Sequence, residues 1–298
     1  MPGNITKKDL ELLLHVAEYE PLTVKQLAAV STRSPQVIRR RIRLFEKEEL
    51  SFRRIRGYGR GPGRPEDLVL LSEKGAKLLQ NKGMIHDNPS HIGDKTIETH
   101  AADHDLLINW FRIHLLQIQK VIPQIAINYT SPKYHESIME RIPKEGSPKY
   151  IDFFPDGVFS IRNDEKGKSL LFFLEVDLGT ETIASRERGP KDIRQKILNY
   201  QTLFLHHHYR HYERFFDSRF KGFRLLFLAN TISRLSGLCR LVQEMPPSGF
   251  VWLTDQEKMF SLGLSAEIWA RGGRNDKPLQ SILGPSLACE SSIGVTTE

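Results

Sequence analysis

The sequence contains only two cysteines, Cys239 and Cys289, and they form neither a CxxC pair nor a zinc-ligand pattern. This argues against a disulfide framework and favours a reducing compartment. Long hydrophobic runs are also missing, because the longest apolar segments, such as LLFFLEV, are far shorter than the ~18 residues of a membrane helix. Acids interrupt the apolar stretch at the N-terminus, unlike in a signal peptide. We therefore expect a cytoplasmic protein without a membrane partner.

Several catalytic motifs are absent as well. The sequence has no P-loop, no Rossmann glycine pattern, no G-x-S-x-G and no HExxH. Their absence argues against nucleotide hydrolysis, dinucleotide chemistry, and proteolysis by a serine or zinc enzyme.

The excess of basic residues lies entirely in the first quarter of the chain. The whole protein has 43 Lys and Arg against 36 Asp and Glu, a net charge of +7. Residues 1–82 hold 17 of these basic residues and 10 of the acids, whereas residues 83–298 hold 26 of each. Such a local basic excess indicates a nucleic-acid-binding region.

Residues 1–82 carry the pattern of a winged helix-turn-helix domain. Thr6 with Asp9, and Thr23 with Gln26, have the spacing of capping boxes that begin helices. Ser34 followed by proline predicts the start of a third helix, over 34–48. The segments LSFRRIRG and DLVLLS then flank a glycine-rich tip, as in a β-hairpin, and EKGAKLLQNKG predicts a closing helix.

The third helix is the predicted reader of double-stranded DNA. Its apolar stripe would face the core, and its opposite stripe would enter the major groove. The wing adds further arginines, and a solvated basic face on a protein-binding winged helix is the alternative. The predicted DNA-binding residues are Gln36, Arg39, Arg40, Arg43 and Lys47 on the helix, and Arg53, Arg54, Arg56, Arg60 and Arg64 on the wing.

A second, α/β domain is predicted over residues 98–270, after a linker over 83–97. A long helix, three strand-like segments, a helix and further strand-like segments follow in order, which predicts a mixed central sheet. Residues 271–298 are polar and rich in Gly and Ser, which predicts a disordered tail.

A candidate chemical site lies on neighbouring strands of this domain. Asp156 comes just before one predicted strand, and Glu175 and Asp177 lie at the end of the next. Because only a short loop connects these two strands, we expect them to pair as an antiparallel hairpin. Three carboxylates suit Mg²⁺ or Mn²⁺, which can activate water for attack on a phosphate. On the following helix, Lys196 and Tyr200 are four residues apart and share a face.

These motifs resemble those of the PD-(D/E)XK nuclease superfamily. Together with the N-terminal winged helix and HDLLINWFRIHL, the segments PDGVF, FFLEVDLGTE and KILNY resemble more closely the plasmid replication-relaxation family of bacterial proteins. The resemblance covers residues 6–255. It implies a restriction-endonuclease-like domain over 98–270 that acts on plasmid or mobile-element DNA in a bacterial cytoplasm.

One departure leaves the activity open, because the nuclease pattern has lysine where this chain has Asp177. In an active enzyme, Asp156 and Glu175 would hold the metal, Asp177 would assist, and Lys196 would activate water or stabilise charge. In an inactive one, the acids would form structural ion pairs. The protein would then regulate replication or transcription, with the second domain forming a homodimer, or it would assist a plasmid replication initiator or relaxase.

Overall fold

Three helices open the chain in the computed structural model, which describes residues 5–54, 66–85, 99–130, 140–143, 150–183 and 192–284. They are α1 (Lys7–Tyr19), α2 (Val24–Ser31) and α3 (Pro35–Lys47). Asp9 accepts hydrogen bonds from the backbone N–H and the hydroxyl of Thr6, and Thr23 and Gln26 form the second predicted capping box. The three predicted helix starts are therefore confirmed.

A small antiparallel sheet completes this part of the chain. Strands β1 (Leu22–Thr23), β2 (Ser51–Arg54) and β3 (Leu68–Leu71) pair in the order β1-β3-β2, and α4 (Glu73–Asn81) follows. Three helices followed by a β-hairpin are the arrangement of a winged helix-turn-helix, as predicted. The helices and the sheet share one apolar core, which includes Leu13, Val16, Leu27, Ile38 and Phe45. The tip of the wing, 55–65, lies outside the described residues.

The long helix α5 (Thr99–Val121) crosses the boundary between two compact units, Met1–Ile113 and His114–Glu298. In the first unit, Gln26 donates to the carbonyl of Leu106 at 2.7 Å, and Asn109 donates to the carbonyls of Tyr19 and Pro21. The first unit thus extends beyond the predicted limit at residue 82, because the first half of α5 supplies polar and apolar contacts to it. Of the predicted linker, 86–97 lies outside the described residues.

The second unit is built on a six-stranded mixed sheet. Its strands are β4 (Ile125–Thr130), β7 (Gly157–Asn163), β8 (Lys168–Asp177), β9 (Phe223–Ala229), β10 (Val251–Asp255) and β11 (Ala270–Arg271), and β5 (Glu140–Pro143) pairs separately with β6 (Tyr150–Phe153). The order is β11-β10-β9-β8-β7-β4, in which β8, β9 and β10 are parallel and the other pairings antiparallel. The mixed sheet and the antiparallel β7–β8 hairpin are confirmed. Residues 154–156 separate β6 from β7.

Helices pack against one face of this sheet. They include α6 (Ile193–Leu205), α7 (His211–Phe215) and α8 (Ile232–Gln243), and the short helix α9 (Gln256–Leu262) follows β10. Phe173 from β8 and Leu225 from β9 are buried in the same cluster as Tyr200 from α6 and Leu238 from α8. Among the described residues, no helix has both the length and the apolar character needed to cross a membrane.

The predicted disordered tail begins too early, because residues 271–284 are part of the second unit. Trp269 and Gln280 exchange two backbone hydrogen bonds, and the side chains of Ile282 and Leu283 are buried. These apolar residues anchor a segment whose composition is otherwise polar. Residues 285–298 lie outside the described part of the chain.

Candidate nucleic-acid interface and carboxylate site

The outer face of α3 carries an exposed polar stripe, and its inner face is buried. Ile38, Ile42 and Phe45 are at most 2% exposed, so the helix is fixed against the core of the first unit. Within the described residues, no carboxylate pairs with any cation of the stripe. The stripe consists of Gln36, Arg39, Arg40, Arg43 and Lys47, all exposed as predicted.

Arg41 lies between two members of the stripe but has a structural role. Its guanidinium donates through two nitrogens to the carboxylate of Asp9 on α1, which is 1% exposed. Burial alone would raise the pKa of Asp9, but hydrogen bonds from Thr6 and Arg41 hold that pKa below its usual value. The pair fixes α3 to α1 and so sets the rotation at which α3 presents its stripe.

The wing residues are described only in part. Arg53 is exposed, and its Nε donates to Glu46 at 2.6 Å, so that this cation is partly neutralised within the unit. The side chain of Arg54, and the whole of Arg56, Arg60 and Arg64, lie outside the described residues. Their predicted contacts with DNA stay predictions.

In the second unit, β8 places Glu175 beneath α6. Alternate residues of the strand share a face, so Glu175 lies on the same side of the sheet as Phe173. The side chain is buried, with the whole residue only 2% exposed. Lys196 Nζ lies 2.9 Å from Glu175 Oε2, and the Tyr200 hydroxyl donates to Oε1 at 2.5 Å. Lys196 and Tyr200, which share a face of α6 as predicted, therefore both contact one carboxylate.

Asp156 and Glu181 add negative charge around Lys196. The backbone N–H of Asp156 donates to Leu174, and one carboxylate oxygen of Asp156 accepts from the N–H of Val176 at 2.7 Å. Asp156 thus continues the β7–β8 pairing through its side chain. Glu181 lies 3.4 Å from the ammonium of Lys196. The ammonium of Lys196 therefore pairs with two carboxylates, and the charge of Asp156 also acts on it.

Burial and the neighbouring carboxylates shift the pKa values of Glu175, Lys196 and Tyr200. Burial raises the pKa of Glu175 to about 7; the ammonium of Lys196 opposes that shift, and Asp156 adds to it. Burial alone would lower the pKa of Lys196, but the charges of Glu175, Asp156 and Glu181 raise it. Burial and the charge of Glu175 also raise the pKa of Tyr200 well above its usual value. Lys196 thus stays protonated, and the pKa of Glu175 lies near neutral pH.

Asp177 is held in a separate pair and does not join Glu175. Arg234 Nε donates to one oxygen of Asp177 at 2.7 Å, and the N–H of Gly179 donates to the other at 2.7 Å. A terminal nitrogen of the same guanidinium donates to the carbonyl of Glu181 at 2.6 Å. Sequence reasoning missed Arg234, which comes from the first turn of α8, 57 residues further along the chain.

The fit to a divalent metal is therefore limited to two carboxylates. Among the described residues, no group of three His, Cys, Asp or Glu side chains is placed to hold an ion. The three predicted ligands are not brought together, because Arg234 and Gly179 occupy Asp177. Asp156 and Glu175 remain as oxygen donors, and Mg²⁺ often binds through one or two carboxylates with waters and substrate phosphates.

The chain matches the family model described as replication-relaxation over residues 13–218, which is more than two thirds of its length. The chain belongs to the replication-relaxation family. The match includes α3 with its basic stripe, Asp156 just before β7, and β8 and α6 with Glu175 and Lys196. It confirms the family that the sequence motifs indicated.

Two solved structures are similar to part of this replication-relaxation protein. A MepR mutant from a multidrug-resistant S. aureus clinical isolate is 18% identical, with a TM-score of 0.24, over 34% of this chain and 66% of that one. RV1404 from Mycobacterium tuberculosis is 17% identical, with a TM-score of 0.22, over 41% and 62%. The chain thus spans less than two thirds of either structure. No curated protein matches it.

Proposed function

We propose that this replication-relaxation protein binds double-stranded DNA through α3. The observation that carries the proposal is the exposed stripe of Gln36, Arg39, Arg40, Arg43 and Lys47, whose cations have no carboxylate partner among the described residues. Cations on a protein surface attract phosphates and release condensed counterions from DNA, which makes binding strong and salt-dependent.

The geometry of α3 suits the major groove. Gln36 and Lys47, the ends of the stripe, are separated by 11 steps along a regular helix, which is about 16 Å at about 1.5 Å per residue. A major groove about 12 Å wide admits such a helix. The Asp9–Arg41 pair and the buried Ile38, Ile42 and Phe45 fix the opposite face, so binding needs no rearrangement of α3.

The test is DNA affinity measured by fluorescence anisotropy at several salt concentrations. Arg40→Glu combined with Arg43→Glu should remove most of the affinity and reduce the dependence on salt. Lys7→Glu combined with Lys8→Glu is the matched control, because both lysines are exposed on α1 and the change in net charge is the same. Equal effects of the two double variants would show that α3 is not the DNA reader.

A second candidate function is phosphodiester cleavage, and the 2.9 Å contact between Lys196 and Glu175 favours it. Asp156 and Glu175 would hold Mg²⁺ or Mn²⁺, which supplies a polarised phosphate and an acidified water when bound. Lys196 would offset negative charge on the substrate, and Tyr200 would orient Glu175. Under this candidate function, the second unit is a restriction-endonuclease-like domain.

The alternative is that the same contacts are structural. Glu175 and Tyr200 are buried, and both oxygens of Glu175 already accept a hydrogen bond from α6. The second unit would then bind a partner, such as a second copy of the chain, a replication initiator or a relaxase, and the protein would act as a regulator.

Incubation of supercoiled, linear and single-stranded DNA with Mg²⁺ or Mn²⁺ separates these candidates. Cleavage by the native protein that is lost in Asp156→Asn and in Glu175→Gln would support the enzyme. Glu165→Gln is the control, because that carboxylate is exposed in the β7–β8 turn. No cleavage of any substrate, in a preparation that binds DNA, would favour the regulator. Cleavage retained by both variants would place the activity elsewhere.

A further inference from the structure

A second basic surface lies outside the residues that match the family model. It surrounds a cavity of about 400 Å³ where β10 begins and β11 ends. Ser248 and Gly249, which precede β10, form one wall, and the rest of the lining, from 271–280, includes Arg271, Arg274 and Lys277. No carboxylate lines this cavity among the described residues, so its character is that of an anion site.

The loop that carries the three cations is held at both ends. Trp269 and Gln280 exchange two backbone hydrogen bonds, which close residues 269–280 into one loop. Within the loop, the N–H of Gly272 donates to Val251 at 2.7 Å, and the carbonyl of Gly273 accepts from the side chain of Gln243. The loop is therefore organised before any ligand arrives, which lowers the entropic cost of binding.

Close packing reinforces this organisation at Gly273. The residue has a φ of 73°, and a Cβ there would lie 2.3 Å from the carbonyl oxygen of Cys239 on α8. Only glycine allows the loop to approach α8 this closely. The cations that follow Gly273 consequently project from a backbone with a defined position.

The cations themselves are available to a ligand. Arg271 Nε donates to the carbonyl of Gly249 at 3.0 Å, which fixes the guanidinium beside the cavity while its terminal nitrogens have no acceptor among the described residues. Arg274 and Lys277 are exposed and form no ion pair with a described residue. Burial, and after it the charge of Arg271, lower the pKa of the nearby Arg224 to about 10.

We propose that this cavity is a phosphate-binding site formed by Arg271, Arg274, Lys277 and the hydroxyl of Ser248. Guanidinium groups match the geometry of phosphate oxygens and bind them through paired N–H donors. The phosphate could belong to a nucleic-acid backbone or to a small phosphorylated molecule, and the chemistry of recognition is the same. If the phosphate belongs to a nucleic acid, the site adds to the proposed DNA binding and rests on that proposal. If it belongs to a small molecule, the site is independent of DNA binding.

The test uses the full chain and the double variant Arg274→Gln with Lys277→Gln, which leaves the Arg271–Gly249 contact intact. Lys7→Gln with Lys8→Gln removes the same charge from the first unit and serves as the control. One arm measures DNA affinity against salt. The other titrates inorganic pyrophosphate by calorimetry without DNA.

A nucleic-acid site predicts that the pocket variant lowers the salt slope of DNA binding by about 2, roughly one for each lost phosphate contact, and that the control does not. A small-molecule site predicts unchanged DNA binding and loss of pyrophosphate binding in the pocket variant alone. The proposal is overturned if the pocket variant matches the control in both arms. A native protein that binds pyrophosphate here and no DNA would contradict only the proposed function.

Discussion

Glu175 is a carboxyl group that the fold keeps away from water, and this gives it a measurable effect on stability. Its pKa is raised from 4.5 to about 7, so the folded protein binds this proton more tightly than the unfolded chain. The corresponding stabilisation is complete below pH 4.5 and is lost as the pH rises to about 7.

We therefore expect the free energy of unfolding of the native protein to decline between pH 4.5 and 7, relative to that of Glu175→Gln, whose amide does not titrate. Urea denaturation at closely spaced pH values measures the difference. Glu165→Gln, at an exposed site, should follow the native profile. Parallel profiles for the native protein and Glu175→Gln would contradict the raised pKa.

Asp177 and Arg234 form another buried charge pair, with side chains 3% and 13% exposed. Arg234→Met should cost about 3–5 kcal/mol, because it leaves a buried carboxylate without its cation. Adding Asp177→Asn should recover much of this loss, since the amide oxygen still accepts from Gly179 and carries no charge. Arg240→Met, at an exposed position on α8, should change stability by at most about 0.5 kcal/mol. Additive losses in a double-mutant cycle would show that the two residues do not act as a pair.

At the scale of elements, the arginines of α3 have two different roles, because Arg41 stabilises the fold and the arginines of the stripe are proposed to bind DNA. Arg41→Gln should destabilise the protein by about 1–3 kcal/mol, because the carboxylate of Asp9 loses its charged donor in a buried place. Arg40→Gln should leave stability within about 0.5 kcal/mol and reduce DNA affinity together with its salt slope. Denaturation and anisotropy on the same two proteins check both statements. Loss of stability in Arg40→Gln would mean that the outer face of α3 is also structural.

The elements were predictable where local pattern decides them. Capping residues located α1, α2 and α3, and the apolar runs located β8, β9 and β10, which are buried on both faces. In the site, the i, i+4 spacing of Lys196 and Tyr200 predicted that they share a face of the helix, and only the structure shows that both contact Glu175. Arg234 was not predictable, since nothing near it marks a partner 57 residues away. Residues 271–284 were misjudged because their polar composition conceals the two buried side chains, Ile282 and Leu283.

At the scale of the whole molecule, the limit of the first unit at Ile113 determines which fragment can fold alone. A fragment of residues 1–82 lacks Leu106 and Asn109, so Gln26 and the carbonyl of Tyr19 lose buried hydrogen-bond partners. It also lacks Ile113, which is 1% exposed, and each such apolar side chain contributes about 1.5–3 kcal/mol when buried.

We expect residues 1–121, which contain all of α5, to unfold cooperatively and to retain salt-dependent DNA binding. Residues 1–82 should lack a cooperative transition under the same conditions, because their core is left open where α5 packs. Thermal denaturation followed by circular dichroism, with anisotropy on the longer fragment, measures both properties. If 1–82 were as stable as 1–121, α5 would be dispensable to the winged helix. If 1–121 folded but did not bind DNA while the full chain did, the second unit would be the main DNA-binding part.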